Sequence, residues 1–224
     1  MFIAIKKLKF LAKNRVEVTF DDSSKVRFSE EVLIRFPLRE AQEIDAEEWE
    51  ELAAVIYYED CKADAVRILE RRLHAQKELE QKLRKKDKYA PELIRQVSAD
   101  LLEIGFINDL IFARMFAQDK ASGTQPWGQG RLKMELRKRG VDQEKITEVF
   151  QELFADEDFE LENAFLAGSK KWKTLHKESD FYKKKQKLYR FLAGRGYSSN
   201  IIAQVAQKLS ENNGDVDEGF VPYE

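Results

Sequence analysis

A helical hairpin written three times constrains this chain more than any other feature. The central copy is Gly130–Leu153, GRLKMELRKRGVDQEKITEVFQEL. Leu132 and Leu136 stand four residues apart and so share one side of a helix. Gly140 ends that helix, because glycine enters the left-handed conformation at little steric cost. Val141 covers the join, and Asp142 is placed to cap a second helix. Ile146, Val149 and Leu153 then extend the apolar stripe at three- and four-residue spacing. The last copy runs Leu188, Leu192, Gly196, Tyr197, Ile202, Val205, Leu209, with every position displaced by 56. The first runs Leu79, Leu83, Asp87, Tyr89, Ile94, Val97, Leu101, displaced by 53 and then by 52, which puts one extra residue in its turn. Shared amphipathic periodicity is the weaker account of seven positions matching in three copies.

An apolar helix precedes each hairpin: Val66–Leu73, Leu110–Phe116 and Phe159–Trp172. The expected fold is therefore mainly α, with three-helix units at 61–104, 105–155 and 156–210. Each unit has a small core, so neighbours are expected to stack into an elongated or curved array. A helix-turn-helix DNA reader is a rival, since Leu136, Gly140 and Ile146 fall near that motif's spacing. Against it, two closely crossing helices need a small residue where Leu136 stands, and leucine recurs there in all three copies.

Residues 1–60 read differently. The run Phe2–Phe10, the alternation Val16, Val18, Phe20 and the pair Val26, Phe28 predict a small antiparallel sheet of three short strands. Ser29 before Glu30 and Glu31 predicts a short helix that stops before Pro37. Asp45 is placed to cap an acid-rich helix buried through Trp49, Leu52, Val55 and Ile56. Pattern alone leaves open whether that helix continues past Asp60, and a break near Asp60 is the reading adopted. The loop Ser122–Gly130, SGTQPWGQG, is the clearest interruption in the helical region. The acidic segment 211–224 is expected to be disordered.

Charge is unevenly spread. Residues 1–60 carry 9 basic and 14 acidic side chains, 61–210 carry 30 and 22, and 211–224 carry 5 acids and no base. A basic centre between acidic ends suits a polyanion or an acidic protein surface as partner, or simply a solvated helical face. Cys61 is the only cysteine, which excludes an intramolecular disulfide and favours a reducing, cytoplasmic setting. No signal peptide is expected, and no apolar run approaches the roughly 20 residues of a membrane helix.

Catalytic chemistry finds little support. His74 and His176 are the only histidines, and both read as solvated surface residues. No clustered ligand spacing points to a metal, and Gly128 and Gly130 lack the Lys-Ser/Thr of a phosphate loop, so no cofactor is expected. Binding fares better. Arg131, Lys133, Arg137, Lys138 and Arg139 crowd the first helix of the central hairpin, while Lys183, Lys184, Lys185, Lys187, Arg190 and Arg195 do the same in the last. Such clusters neutralise phosphates in a salt-dependent way, or form a solvated face. Trp127, in a glycine-rich loop, either folds back on a neighbouring unit or anchors a partner.

From Asp109 to Gly140 the sequence resembles the RecX family of bacterial recombinase regulators, through Asp109, Phe112, Ala113, Gly130, Arg131, Leu132, Glu135, Leu136, Lys138, Arg139 and Gly140. Lys187, Leu188, Arg190, Phe191, Leu192, Arg195, Gly196, Tyr197, Ser198 and Ile202 carry a second block, and Ala65, Leu69, Arg72, Glu78, Leu79, Lys82 and Leu83 a third. The resemblance spans about residues 61–210. It implies a cytoplasmic, non-enzymatic protein of tandem three-helix units that acts in homologous recombination, DNA repair and the SOS response. It further implies binding to the RecA recombinase, in particular its filament on single-stranded DNA, and modulation or inhibition of its ATPase and strand exchange. Some members of the family also bind DNA directly, so a stand-alone DNA-binding protein using the basic faces is the alternative. The chain departs from the family pattern at Asp87, which replaces the turn glycine, and in carrying the N-terminal sheet that shorter members lack.

Overall fold

The computed structural model describes residues 3–211, apart from the side chain of Glu157. The expected acidic tail lies outside the described residues beyond Glu211. The chain forms two compact units: one runs to His74 and resumes over Glu78–Ile107, and the other takes Ala75–Lys77 and everything from Asn108.

The first unit begins with strands β1 (Ile3–Leu11), β2 (Arg15–Phe20), β3 (Lys25–Ser29) and β4 (Glu43–Ile44), in the antiparallel order β3-β2-β1-β4. The fourth strand corrects the expected three. It holds only two residues, too short to carry an alternation signal, and pairs Ile44 and Glu43 with Ile3 and Ala4. Ile5, Val16, Val18, Phe20 and Phe28 bury one side of the sheet against Val32 of α1 (Glu30–Arg35) and against Leu52 and Ile56 of α2 (Ala46–Leu69). A sheet this small depends on that helix cover. Asp45 and Glu48 form a reciprocal capping box at the start of α2.

Helix α2 runs unbroken through Asp60, which corrects the expected break. Asp60 is tied down by Arg15 at 3.3 Å and Lys88 at 2.9 Å, so its charge does not force the chain out of the helix. The same helix therefore covers the sheet with its first half and opens a three-helix core with its second. There Cys61 and Ala65 pack with Leu79 and Leu83 of α3 (Gln76–Arg84) and with Ile94, Val97 and Leu101 of α4 (Pro91–Glu103). Burial pushes the Cys61 thiol up to about 11, which leaves it protonated and unreactive. Buried Asp64 accepts from the Tyr89 hydroxyl at 2.7 Å and pairs with Arg67 and Lys86. Burial alone raises a carboxyl; here the Tyr89 hydrogen bond and the two cations outweigh it, and Asp64 lies below its ordinary range.

The second unit holds α5 (Asp109–Ser122), α6 (Gln129–Lys138), α7 (Gln143–Leu153), α8 (Glu157–Thr174), α9 (Phe181–Ala193) and α10 (Ser199–Glu211). Two cores follow the repeat. Phe112, Ala113, Ala117, Leu132, Leu136, Ile146 and Val149 form one, and Ala164, Ala167, Leu188, Leu192, Ile202, Val205 and Leu209 the other. With four strands and ten helices among the described residues, the architecture is mainly helical, with tandem three-helix units after a small antiparallel sheet.

The turns carry the repeat's sharpest signature. Gly140 and Gly196 both have φ of 84°. In each, the residue after the glycine returns a hydrogen bond across the helix end, Val141 N–H to the Leu136 carbonyl and Tyr197 N–H to the Leu192 carbonyl. Asp87 occupies the same place at φ 51°. Aspartate is among the side chains best able to adopt this region. Asp142 stands at the start of α7 as expected, but its carboxylate bonds Lys145 rather than the helix N–H groups. His74 is buried, at 3% exposure, which corrects the surface reading. Its neighbour Ala75 is also fully buried and packs in the core of the second unit.

Two predictions follow from these positions. Gly196→Ala adds a Cβ that collides with the backbone of Arg131, whereas at Gly105 (φ 79°) nothing lies within 4 Å. In chemical denaturation Gly105→Ala should cost about 1–2 kcal/mol, the left-handed strain alone. Gly196→Ala should cost more than about 3 kcal/mol, because the clash is with backbone. For His74, burial pushes the imidazole below its ordinary 6.5, against the pull of the Arg72 carbonyl. The unfolded chain then binds the proton first. Stability should be complete above about pH 6.5 and decline as pH falls below it, and His74→Gln should flatten that slope in thermal melts.

Candidate partner-binding surface

Helix α6 starts without a side-chain cap of its own. Its first N–H groups are satisfied from the next three-helix unit. Gly128 N–H donates to the Arg195 carbonyl and Gly130 N–H to the Gly196 carbonyl, both at 2.9 Å. A Cβ on Gly128 would lie 2.6 Å from the Gly196 oxygen, so this approach needs glycine on both sides. Glu160 of α8 completes the cap, accepting from Gln129 N–H at 3.0 Å and from its side-chain amide at 2.9 Å. The negative carboxylate meets the positive end of the α6 dipole. The arrangement recurs at the start of α3, where Asp109 accepts from Gln76 N–H at 2.8 Å and Lys77 lies against Gly140. Neither Glu160 nor Asp109 announces this role in the sequence, because each partner is a backbone group more than 30 residues away.

This docking fixes where the expected binding residues stand. Trp127 is partly buried and packs against the core of its own three-helix unit, edge-on to Phe116 at 6.1 Å. The Arg131 guanidinium covers its ring at 3.9 Å. Arg139 lies 4.6 Å from the Phe116 ring and pairs with Glu135 at 2.6 Å. Lys133 approaches the Phe150 ring at 5.1 Å. Arg137 is exposed but donates twice to Gln143. Of the five α6 cations, Lys138 alone is both exposed and without an ion pair or hydrogen bond among the described residues.

The α9 cluster divides in the same way. Lys183 pairs with Asp180 at 3.5 Å and Lys187 with Glu178. Lys184 lies 4.1 Å from the Trp172 ring and Lys185 lies 4.6 Å from Phe181. Arg190 is exposed and makes no ion pair among the described residues. Arg195 stacks on Phe191 at 4.1 Å and donates to Gln125 of the Trp127 loop at 3.1 Å. The fold thus brings Arg131, Arg195 and Trp127 together at the join of the last two three-helix units. Lys133, Arg137, Arg139, Lys183, Lys184 and Lys187 are each engaged with neighbours inside their own three-helix units.

Elsewhere, the described residues hold no group of three or more His, Cys, Asp or Glu able to bind a metal. No described helix is long and apolar enough to cross a membrane. An open groove of about 700 Å3 in the first unit is lined by Tyr57, Tyr58 and Tyr89 with Arg35 and Lys88. Tyr58 there donates to Asp100 at 2.7 Å, and burial followed by that bond pushes its hydroxyl up to about 12. The arrangement offers stacking faces and hydrogen-bond donors but no nucleophile–base pair.

Because Trp127 is half-buried, Trp127→Ala should remove about 2 kcal/mol of stability, below the ~3–5 kcal/mol of a fully buried aromatic. Urea unfolding followed by circular dichroism measures it.

The comparisons agree with this architecture unit by unit. The models described as the first, second and third three-helix domains of RecX match residues 61–101, 108–149 and 157–206. The regulatory protein RecX of Clostridium botulinum is 32% identical over 88% of this chain and 90% of its own length. That of Clostridium beijerinckii is 31% identical over the same shares. A crystal structure of regulatory protein RecX superposes with a TM-score of 0.69 at 18% identity, covering 92% of this chain and 99% of that one. RecX from Lactobacillus salivarius gives a TM-score of 0.58 at 22% identity, covering 69% and 97%. These two structures speak for the fold. With all three domain models matched in order and relatives aligned along nearly their whole length, the chain belongs to the RecX family of regulatory proteins.

Proposed function

We propose that this protein regulates homologous recombination and DNA repair by binding RecA, in particular its filament on single-stranded DNA, and that it inhibits RecA's ATPase and strand exchange. The observation that carries the reading is membership of a regulatory family through three intact, separately cored three-helix domains. The protein acts by occupying a surface rather than by chemistry, in the bacterial cytoplasm and within the SOS response. Partner residues are drawn from the set Trp127, Arg131, Lys138, Arg190 and Arg195, whose cations have no carboxylate partner among the described residues.

A second reading, direct binding of single- or double-stranded DNA, is favoured by the exposed Lys138 and Arg190, which are free to meet phosphates. One titration separates the two. Added to RecA with single-stranded DNA, the protein should suppress DNA-dependent ATP hydrolysis at or below one protein per recombinase. Unchanged hydrolysis and strand exchange at saturation would sink the first reading. Tight binding to DNA without RecA, with affinity falling steeply between low and physiological salt, would establish the second.

A further inference from the structure

Arg131 and Arg195 are an unusual pair. They sit on segments in backbone contact, since Arg131 lies against Gly196 and Gly128 N–H bonds the Arg195 carbonyl. Each guanidinium has one flat side covered by an aromatic ring, Trp127 at 3.9 Å and Phe191 at 4.1 Å. Burial, and then the charge of Arg131, lower the proton affinity of Arg195. Among the described residues no carboxylate pairs with either group. The side-chain acceptor supplied to Arg195 is the neutral Gln125 amide, and its buried Nε has no acceptor at all. Two like charges are thus held close in a partly desolvated, aromatic-walled place with their donors underused. An oxyanion there relieves the repulsion and takes paired N–H bonds from the planar forks.

We infer that Arg131 and Arg195 form a clamp for a carboxylate presented by a protein partner, with Trp127 and Phe191 as its walls. The inference rests on the regulatory reading above, and it adds the place and chemistry of the contact. A carboxylate is favoured over a nucleic-acid backbone by what surrounds the pair. A phosphate track needs a run of available cations. Here the neighbours are already engaged: Arg139 with Glu135, Arg137 with Gln143, Lys183 with Asp180, Lys187 with Glu178, and Lys120 beside Trp127 with Asp119. Lys138 and Arg190 stand unpaired as single cations on different helices, whereas Arg131 and Arg195 meet beside Trp127 in one compact spot of Arg and Trp, the composition of a protein–protein hot spot.

The test has two arms, both on the full chain. In the first, a hexaglutamate peptide is titrated while the arginine Nε–H resonances are followed by NMR. Arg131 and Arg195 should move first, and an equal or larger early response at Arg137 and Arg190 overturns the clamp. In the second, binding to RecA filaments and to a naked deoxythymidine oligonucleotide is compared for wild type and for R131Q combined with R195Q. The pair of substitutions should weaken filament binding at least about tenfold. Oligonucleotide binding should change less than about twofold, and thermal melts should confirm the fold. If the double variant does not fold, R131Q alone should still give most of the loss. Unchanged filament binding, or equal loss on naked DNA, overturns the clamp. A wild-type protein that binds the peptide through these arginines but no filament overturns the regulatory reading and leaves the clamp standing.

Discussion

The join of the last two three-helix units depends on a backbone contact that only glycine permits. Two N–H groups at the start of α6 reach the carbonyls of Arg195 and Gly196 in the turn between α9 and α10. The turn glycine has two tasks there. It holds a positive φ that ends one helix, and by lacking a Cβ it lets the helix start of the preceding copy come within hydrogen-bonding distance. Gly140 has the same positive φ, and its close neighbour is the Lys77 side chain rather than backbone. This accounts for Asp87. The first hairpin needs the left-handed turn, which aspartate can adopt, but residues 1–60 contain no earlier hairpin to dock on it.

Carboxylates from first helices complete the join. Asp109 caps the start of α3 and Glu160 the start of α6, so a buried helix end borrows its acceptor from the next copy. Unsatisfied N–H groups at a buried helix start are costly, and an ionised acceptor is a strong remedy. Asp109 is only 5% exposed and makes no ion pair among the described residues, and the charge it buries answers a helix dipole. Helix α2 solves a comparable problem differently. By running through Asp60, whose charge Arg15 and Lys88 offset, it makes one element serve both the sheet core and the first helical core.

Legibility in the sequence followed the range of the interaction. Local periodicity located the hairpins, and Leu79, Leu83, Leu132, Leu136, Leu188 and Leu192 are all buried as their spacing requires. The turn glycines were visible because a positive φ is a property of one residue. What escaped was long-range. The two-residue β4 has no pattern to read, and the polar residues around His74 in the sequence give no sign that it is buried. The Asp109 and Glu160 caps depend on groups far away in the chain. Composition counted eleven basic side chains on α6 and α9 and just beyond their ends as one class, but it carries no information on which of them the fold would occupy.

That distinction matters for how such a surface recognises anything. A lysine bonded to a neighbouring aspartate at 3.5 Å, as Lys183 is to Asp180, must give up that contact before it can serve a partner. It contributes to the long-range field and little to a specific bond. Arg131 and Arg195 differ because the backbone contact that joins the last two copies also fixes these two side chains near one another, against rings and without an ion pair among the described residues. Their repulsion is a standing cost of the junction, offset by the Gly128 and Gly130 hydrogen bonds and by ring packing. A partner that supplies one carboxylate removes a penalty as well as gaining bonds, and it does so without ordering flexible side chains at the moment of binding. The glycine-dependent join therefore does more than stack helices. It makes recognition at this place sensitive to the register between copies, so a change that loosens Gly196 against Arg131 should weaken a specific contact well before it removes the helices themselves.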